Sequence, residues 1–226
     1  KRARITEPAL IMAHFLRKYN KTVIFIGKGI KMENTLETYE WNNTWIEKTD
    51  DKDAKRVLYI GDSISCGTRF ELNSISKGKI LFDGFGSSKA LDNPYYFPEL
   101  SLWAKQEEFR NAVLFNNGLH GWHIGEQEYS RLYDEFLDKL INEFPDTVII
   151  PILTTSVTNP DYHNDRVTDR NAIVRKLAES KGLPIIDLYT VSEQNRNLQS
   201  EDGVHFTRPG YIALANALVK EMNRYL

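Results

Sequence analysis

Two short stretches hold side chains whose types and spacing could do chemistry together. The apolar run Val57-Leu58-Tyr59-Ile60 leads straight into Gly61-Asp62-Ser63. The serine is therefore expected at the carboxyl end of a buried parallel strand, where open α/β sheets place their ligand crevices. Its N–H would open the next segment and point outward, ready to donate to a developing oxyanion. Much later, Asp202-Gly203-Val204-His205 sets a carboxylate and an imidazole three residues apart on a turn. That spacing puts both on one side, so Asp202 can hold one ring nitrogen while the other faces a serine hydroxyl. Nucleophile, general base and orienting carboxylate would then be Ser63, His205 and Asp202. Each stretch alone also has a plainer reading, since Gly-Asp-Ser is good turn chemistry and an Asp capping a turn beside a solvated His is ordinary loop chemistry.

Two more loops follow strand candidates: Asp83-Gly84-Phe85-Gly86-Ser87-Ser88 and Asn116-Asn117-Gly118-Leu119-His120-Gly121. Both should lie at the same end of the sheet as Ser63. Glycine N–H groups and polar side chains from them could converge on a carbonyl oxygen under attack.

The elements that must bring these loops together are legible from residue 56 onward. Short apolar runs at residues 56–60, 79–82, 112–116, 147–153 and 184–187 are bounded by Gly, Pro, Asn or Asp, as strands buried on both faces are. Between them lie segments of helical period. Tyr129, Leu132, Phe136, Leu140 and Phe144 mark a helix over 126–143 that stops near Pro145. A second helix is expected over 168–180, ended by Gly182 and Pro184, and a third over 208–226, with Thr207 as N-cap and Pro209 in its first turn. Alternating strand and helix predicts an α/β domain, a three-layer α/β/α sandwich around a mainly parallel five-stranded sheet. The first 54 residues fit this plan less well: a helical stretch over 8–17, a strand-like run over 22–26, then a charged run over 47–55. They read as an N-terminal extension with a polar linker, leaving 55–226 as the domain.

Composition narrows the partners. The chain has 226 residues, enough for one well-packed α/β domain plus a small appendage, and 29 basic against 31 acidic residues leave a net charge of −2. No overall field favours nucleic acid or an anionic membrane. The single cysteine, Cys66, excludes an internal disulfide and a cysteine-based metal cluster, and reads as a small packed residue. No run of about 18 apolar residues marks a membrane span, and no signal-type apolar region opens the chain. The chain therefore reads as soluble, with its compartment open. The sequence begins without Met, which leaves room for a removed targeting segment and for secretion or a periplasmic home. Asn20-Lys21-Thr22 and Asn42-Asn43-Thr44 match the glycosylation sequon, which carries meaning only if the chain is secreted.

The order of these blocks is similar to that of the SGNH/GDSL hydrolases. Gly61-Asp62-Ser63 ends the first strand, a glycine loop follows the second, a Gly-x-Asn-like loop follows the third, and Asp-x-x-His precedes the last helix. Thr154-Thr155, Asp187-Leu188-Tyr189, His205-Phe206-Thr207 and Gly210-Tyr211 add to the resemblance, which spans about residues 55–226. The resemblance implies the flavodoxin-like SGNH fold and an esterase or deacylase activity. It makes Ser63 the nucleophile, His205 the general acid/base and Asp202 its orienter, with the Ser63 and Gly86 N–H groups in the oxyanion hole. Gly84 competes with Gly86. One position departs from the pattern: where the family usually has Asn, this chain has His120, whose neutral imidazole can also donate one N–H. Asn117 is the other candidate.

Removal of a short acyl group such as acetate from a carbohydrate is the leading expectation. Acyl transfer to a second alcohol is the nearest alternative, and a non-catalytic ligand-binding module that kept the fold is the alternative from another class. Cofactors are expected to be none. His120 and His123 are three apart but lack an evident third ligand, so no metal site is expected. Tyr95, Tyr96, Phe97, Trp103 and Trp122 flank the loops, mostly as packing, though one or two could face a sugar ring or acyl chain. The absence of a Gly-x-Ser-x-Gly elbow argues against the α/β-hydrolase fold, and no phosphate-binding glycine loop follows a strand.

Overall fold

The computed structural model describes residues 36–107 and 109–226. The helix expected over 8–17, the strand expected over 22–26 and the sequon at Asn20 lie outside the described residues. In chain order the elements are β1 (Asn42–Trp45), β2 (Lys55–Gly61), α1 (Ser63–Ser76), β3 (Ile80–Ser87), α2 (Tyr96–Ala104), β4 (Ala112–Phe115), α3 (Glu126–Glu143), β5 (Val148–Pro151), α4 (Asn164–Lys181), α5 (Leu188–Gln194) and α6 (Arg208–Tyr225). The strands form a five-stranded sheet in the order β1-β3-β2-β4-β5. β3, β2, β4 and β5 run parallel, and β1 runs antiparallel along the outer edge of β3.

Strand residues alternate between two cores, as a pleated sheet covered on both faces requires. Val57, Tyr59, Phe82, Leu114 and Ile150 face one core, closed by α1 and α6 through Ile64, Leu72, Leu214, Leu218 and Met222. Leu58, Ile60, Phe85, Val113 and Phe115 face the other, closed by α2 and α3 through Tyr96, Leu100, Tyr133, Phe136 and Leu140. Phe115 and Phe136 stack there with centroids 4.6 Å apart and planes 7° from parallel. The fold is thus the expected α/β/α sandwich.

Two expectations change. The run at 184–187 is not a fifth parallel strand: it contributes a single bridge between Ile186 and Ile152, made by the Leu153 N–H to the Ile186 carbonyl and the Ile186 N–H to the Pro151 carbonyl. Pro184 has no N–H to give a ladder, and Asp187 already caps α5 by accepting the Thr190 N–H at 2.8 Å. The fifth strand is β1 instead, so the segment from Leu36 to Ala54 belongs with the domain and is not wholly a linker. Only Trp45 of its four residues is buried, which is why an edge strand reading Asn-Asn-Thr-Trp carries no apolar signal.

Side chains also tie that segment down. Arg56 donates to Asp83 at 2.7 Å and to the carbonyls of Glu47 and Lys48, while the Glu47 N–H donates to Asp83. Arg110 lies 3.6 Å from the same carboxylate. Burial pushes the Asp83 carboxyl up from its ordinary value, against the opposing pull of the Glu47 N–H and the two guanidinium groups.

Candidate active site

β2 lies at the centre of the sheet and ends at Gly61, and Asp62 turns the chain into α1. The Asp62 side chain accepts the Ile64 N–H at 2.9 Å and so caps the helix. Ser63 is the first residue of α1, where N–H groups have no preceding carbonyl to bond. Its side chain leaves the carboxyl edge of the sheet, and its Oγ lies 2.8 Å from Nε2 of His205.

His205 is held by a turn that closes on itself. The Ser200 N–H bonds the His205 carbonyl at 2.8 Å, and Gln199 and Phe206 form an antiparallel bridge. Gly203 sits at φ +66°, in the left-handed region that glycine enters without a Cβ penalty. Its carbonyl accepts the N–H groups of Thr158 and Asn159, and the Asn159 side chain donates to the Asp202 carbonyl at 2.7 Å. The loop after β5 thus braces the turn.

Asp202 divides its two oxygens. One accepts the Val204 and His205 N–H groups, both at 2.9 Å, and the other faces Nδ1 of His205 at 2.7 Å. Burial pushes its carboxyl up, but the Val204 N–H, the His205 ring and the His205 N–H outweigh that and bring it down to about 2. It is therefore ionised at neutral pH, which its half-exposed side chain also favours.

On the other side of Ser63, Gly61 pairs with Gly86 in the β2–β3 register. A Cβ on Gly86 would run into Cys66 Sγ and come within 3.4 Å of the Asp62 carbonyl, so this glycine lies against the start of α1. Gly84 lies instead beneath the Trp45 ring. Between these two, Gly86 is the one brought next to the Asp62-Ser63 turn. Burial raises the Cys66 thiol to about 11, a packed and unreactive state at neutral pH.

Asn117 is fully buried and its amide donates to the Lys89 carbonyl at 2.8 Å, tying the loop after β4 to the loop after β3. His120 lies nearer the surface, with its Nδ1 3.9 Å from Glu37 and its ring edge-on to Trp41 at 6.4 Å. His123 turns elsewhere and bonds Asp92 at 2.9 Å. Among the described residues no three His, Cys, Asp or Glu side chains converge as a metal site would need.

Of the aromatic residues, Tyr96 is buried, Phe97 and Trp103 pack against the second core, and Tyr95 is 60% exposed. Trp122 packs edge-on to Tyr162 with centroids 5.6 Å apart, joining the loops after β4 and β5. Sequence reasoning did not single out Glu37, Trp41, Asn159, Arg166 or Arg170. None sits in a chemical motif, and the partners that tie them to the site's loops lie 40 or more positions away.

No family model matches the sequence, and no curated protein resembles it in sequence. Solved structures do resemble it. A lipase/acylhydrolase from Enterococcus faecalis aligns at 16% identity over 75% of this chain and 96% of its own, with a TM-score of 0.61. A candidate SGNH hydrolase from Slackia heliotrinireducens aligns at 18% identity over 75% of this chain and 100% of its own, with a TM-score of 0.59. An acetyl xylan esterase aligns at 17% identity over 74% of this chain and 98% of its own, with a TM-score of 0.57. What is shared at these identities is the fold, which is that of the SGNH/GDSL hydrolases.

Proposed function

We propose that this chain is a serine esterase or deacylase of the SGNH/GDSL kind, cleaving carboxylic esters through an acyl-Ser63 intermediate. The observation that carries the reading is the hydrogen-bonded line from Asp202 through His205 to Ser63, with steps of 2.7 and 2.8 Å. A nitrogen 2.7 Å from a carboxylate carries the proton, so Nδ1 is the donor to Asp202 and Nε2 accepts the Ser63 hydroxyl. As Oγ attacks an ester carbonyl, its proton passes to Nε2 and the carbonyl oxygen becomes an oxyanion. The Ser63 N–H and the His120 ring are the donors this reading assigns to that oxygen, because Gly86 lies within β3 paired with Asn43 of β1, and that ladder takes up its N–H. His205 then returns the proton to the departing alkoxide, leaving the acyl group on Ser63. In the second half, His205 takes a proton from water, which attacks the acyl-enzyme and releases the acid. The His205 side chain is 40% exposed, which gives water a route to this base.

For the substrate we propose a short acyl group, such as acetate, on a carbohydrate. An acetyl xylan esterase shares the fold, and the half-buried Trp41 stands edge-on to the His120 ring, an aromatic surface suited to a sugar ring. Hydrolysis of p-nitrophenyl acetate by wild type and Ser63→Ala tests the reaction. Loss of a triad member is expected to lower the rate by about a thousandfold or more. Equal rates in the two proteins, or none in wild type, would end the esterase reading. Acetylated saccharides compared with long-chain esters test the substrate class, and preference for the long chains would overturn the carbohydrate proposal.

A further inference from the structure

Arg170 is a charged side chain with no solvent exposure, and each of its five donors can be accounted for. Nη1 bonds the carbonyls of Gly118 (3.2 Å) and His120 (2.9 Å), and Nη2 bonds those of Gly121 (2.8 Å) and Ile124 (3.2 Å). Nε bonds Glu126 at 3.2 Å, and the guanidinium lies over the Tyr129 ring at 4.3 Å. Arg166, one helical turn earlier, bonds the other Glu126 oxygen and the carbonyls of Trp122 and Ile124. The carbonyls of one loop are thus gathered onto guanidinium groups from α4. A planar trans peptide points its C=O and its N–H in opposite directions. With the His120 carbonyl drawn inward to Arg170, the Gly121 N–H of the same peptide must point outward. It meets the Glu37 carboxylate there at 2.8 Å, through the oxygen that also lies 3.9 Å from the His120 ring.

We propose that Arg170 and Glu37 clamp the His120–Gly121 peptide from its two edges and are positioning residues that aim His120 at the reacting carbonyl. The inference rests on the esterase reading above, with His120 as an oxyanion donor. An unclamped peptide can rotate, and the ring it carries moves with it. An oxyanion donor acts only when it already stands where the charge will develop, so the loss falls on the transition state and not on substrate binding.

Arg170 is buried too deeply for its removal to separate positioning from folding, so Glu37, at the surface, is the residue to change. Steady-state kinetics on p-nitrophenyl acetate should show kcat of Glu37→Ala about tenfold or more below wild type with KM little changed, because an oxyanion donor is worth about 10²–10³ in kcat and here is displaced, not lost. Glu37→Gln keeps an oxygen to accept the Gly121 N–H and should recover most of that loss. His120→Ala should itself lose about 10²–10³ in kcat, and adding Glu37→Ala to it should then change little, because the two act through one group. An unchanged kcat in Glu37→Ala, equal factors in both backgrounds, or no recovery with Gln would overturn the clamp while Ser63-dependent hydrolysis stands. If wild type and Ser63→Ala do not differ, it is the esterase reading that fails, and this inference goes with it.

Discussion

Gly86→Ala tests how narrowly the two halves of the site are fitted together. A Cβ at that position would lie 3.4 Å from the Asp62 carbonyl and 3.5 Å from the Asn43 carbonyl, both tolerable. It would also stand more than about 1 Å inside the ~3.5 Å separation at which it and Cys66 Sγ could rest in contact. Cys66 is on α1, one turn beyond Ser63. Relieving the overlap by moving α1 draws Ser63 Oγ away from a partner now 2.8 Å distant. A misplacement of about 1 Å is worth about a hundredfold in rate, or about 2.7 kcal/mol of barrier. Initial rates on p-nitrophenyl acetate read the effect, with thermal melts as a check that the variant is folded. Removing the sulfur supplies the control: with Cys66→Ala added to Gly86→Ala the overlap is gone and most of the lost rate should return. A single variant as active as wild type would refute the argument, and so would a double variant no better than the single one.

Three other outcomes follow from the same structure. Asp202 is depressed to about 2 in the folded chain, so its interactions with the Val204 N–H and His205 stabilise fully above the ordinary carboxylate value of about 3.9 and are lost as pH falls toward 2. The difference in melting temperature between wild type and Asp202→Asn should therefore hold from neutral pH to about 4 and shrink below it; a difference that grows on acidification would contradict this. Gly203→Ala forces a side chain into the left-handed region and against the backbone of Asn159, and should cost at least about 1–2 kcal/mol in denaturant unfolding. It should also lower activity, since Asp202 precedes it and His205 lies two residues on. Asp83→Leu leaves Arg56 and Arg110 buried beside an apolar group and should destabilise by about 3–5 kcal/mol. In urea melts, a loss below about 1 kcal/mol would mean the two guanidinium groups find other partners.

Some of the molecule was legible because it is written in local pattern. The buried parallel strands are continuous apolar runs, and α3 repeats its apolar residues at the helical period, so both appear in sequence order before any contact is known. The Asp202-to-His205 spacing is local too: a three-residue turn has few ways to place its side chains. Edge strand β1 stayed hidden because it buries one residue of four, and an exposed edge needs no apolar alternation. The opposite error, a parallel strand at 184–187, arose because apolar composition does not register that Pro184 lacks an N–H and that Asp187 is taken up in capping α5.

By itself the sequence determined that a serine would follow the central strand and that an aspartate and a histidine would share a turn before the last helix. Each is a matter of residues near one another in the chain. The tertiary structure decided how far apart those two places are, which of Gly84 and Gly86 lies against the helix that Ser63 opens, and how Asn117 and His120 are disposed. It also recruited Glu37 and Arg170 to opposite edges of one peptide. Those outcomes depend on residues from 20 to 142 positions apart closing into contact. Closure is set by how helices and loops pack over the whole sheet, and packing is a property of all the contacts at once.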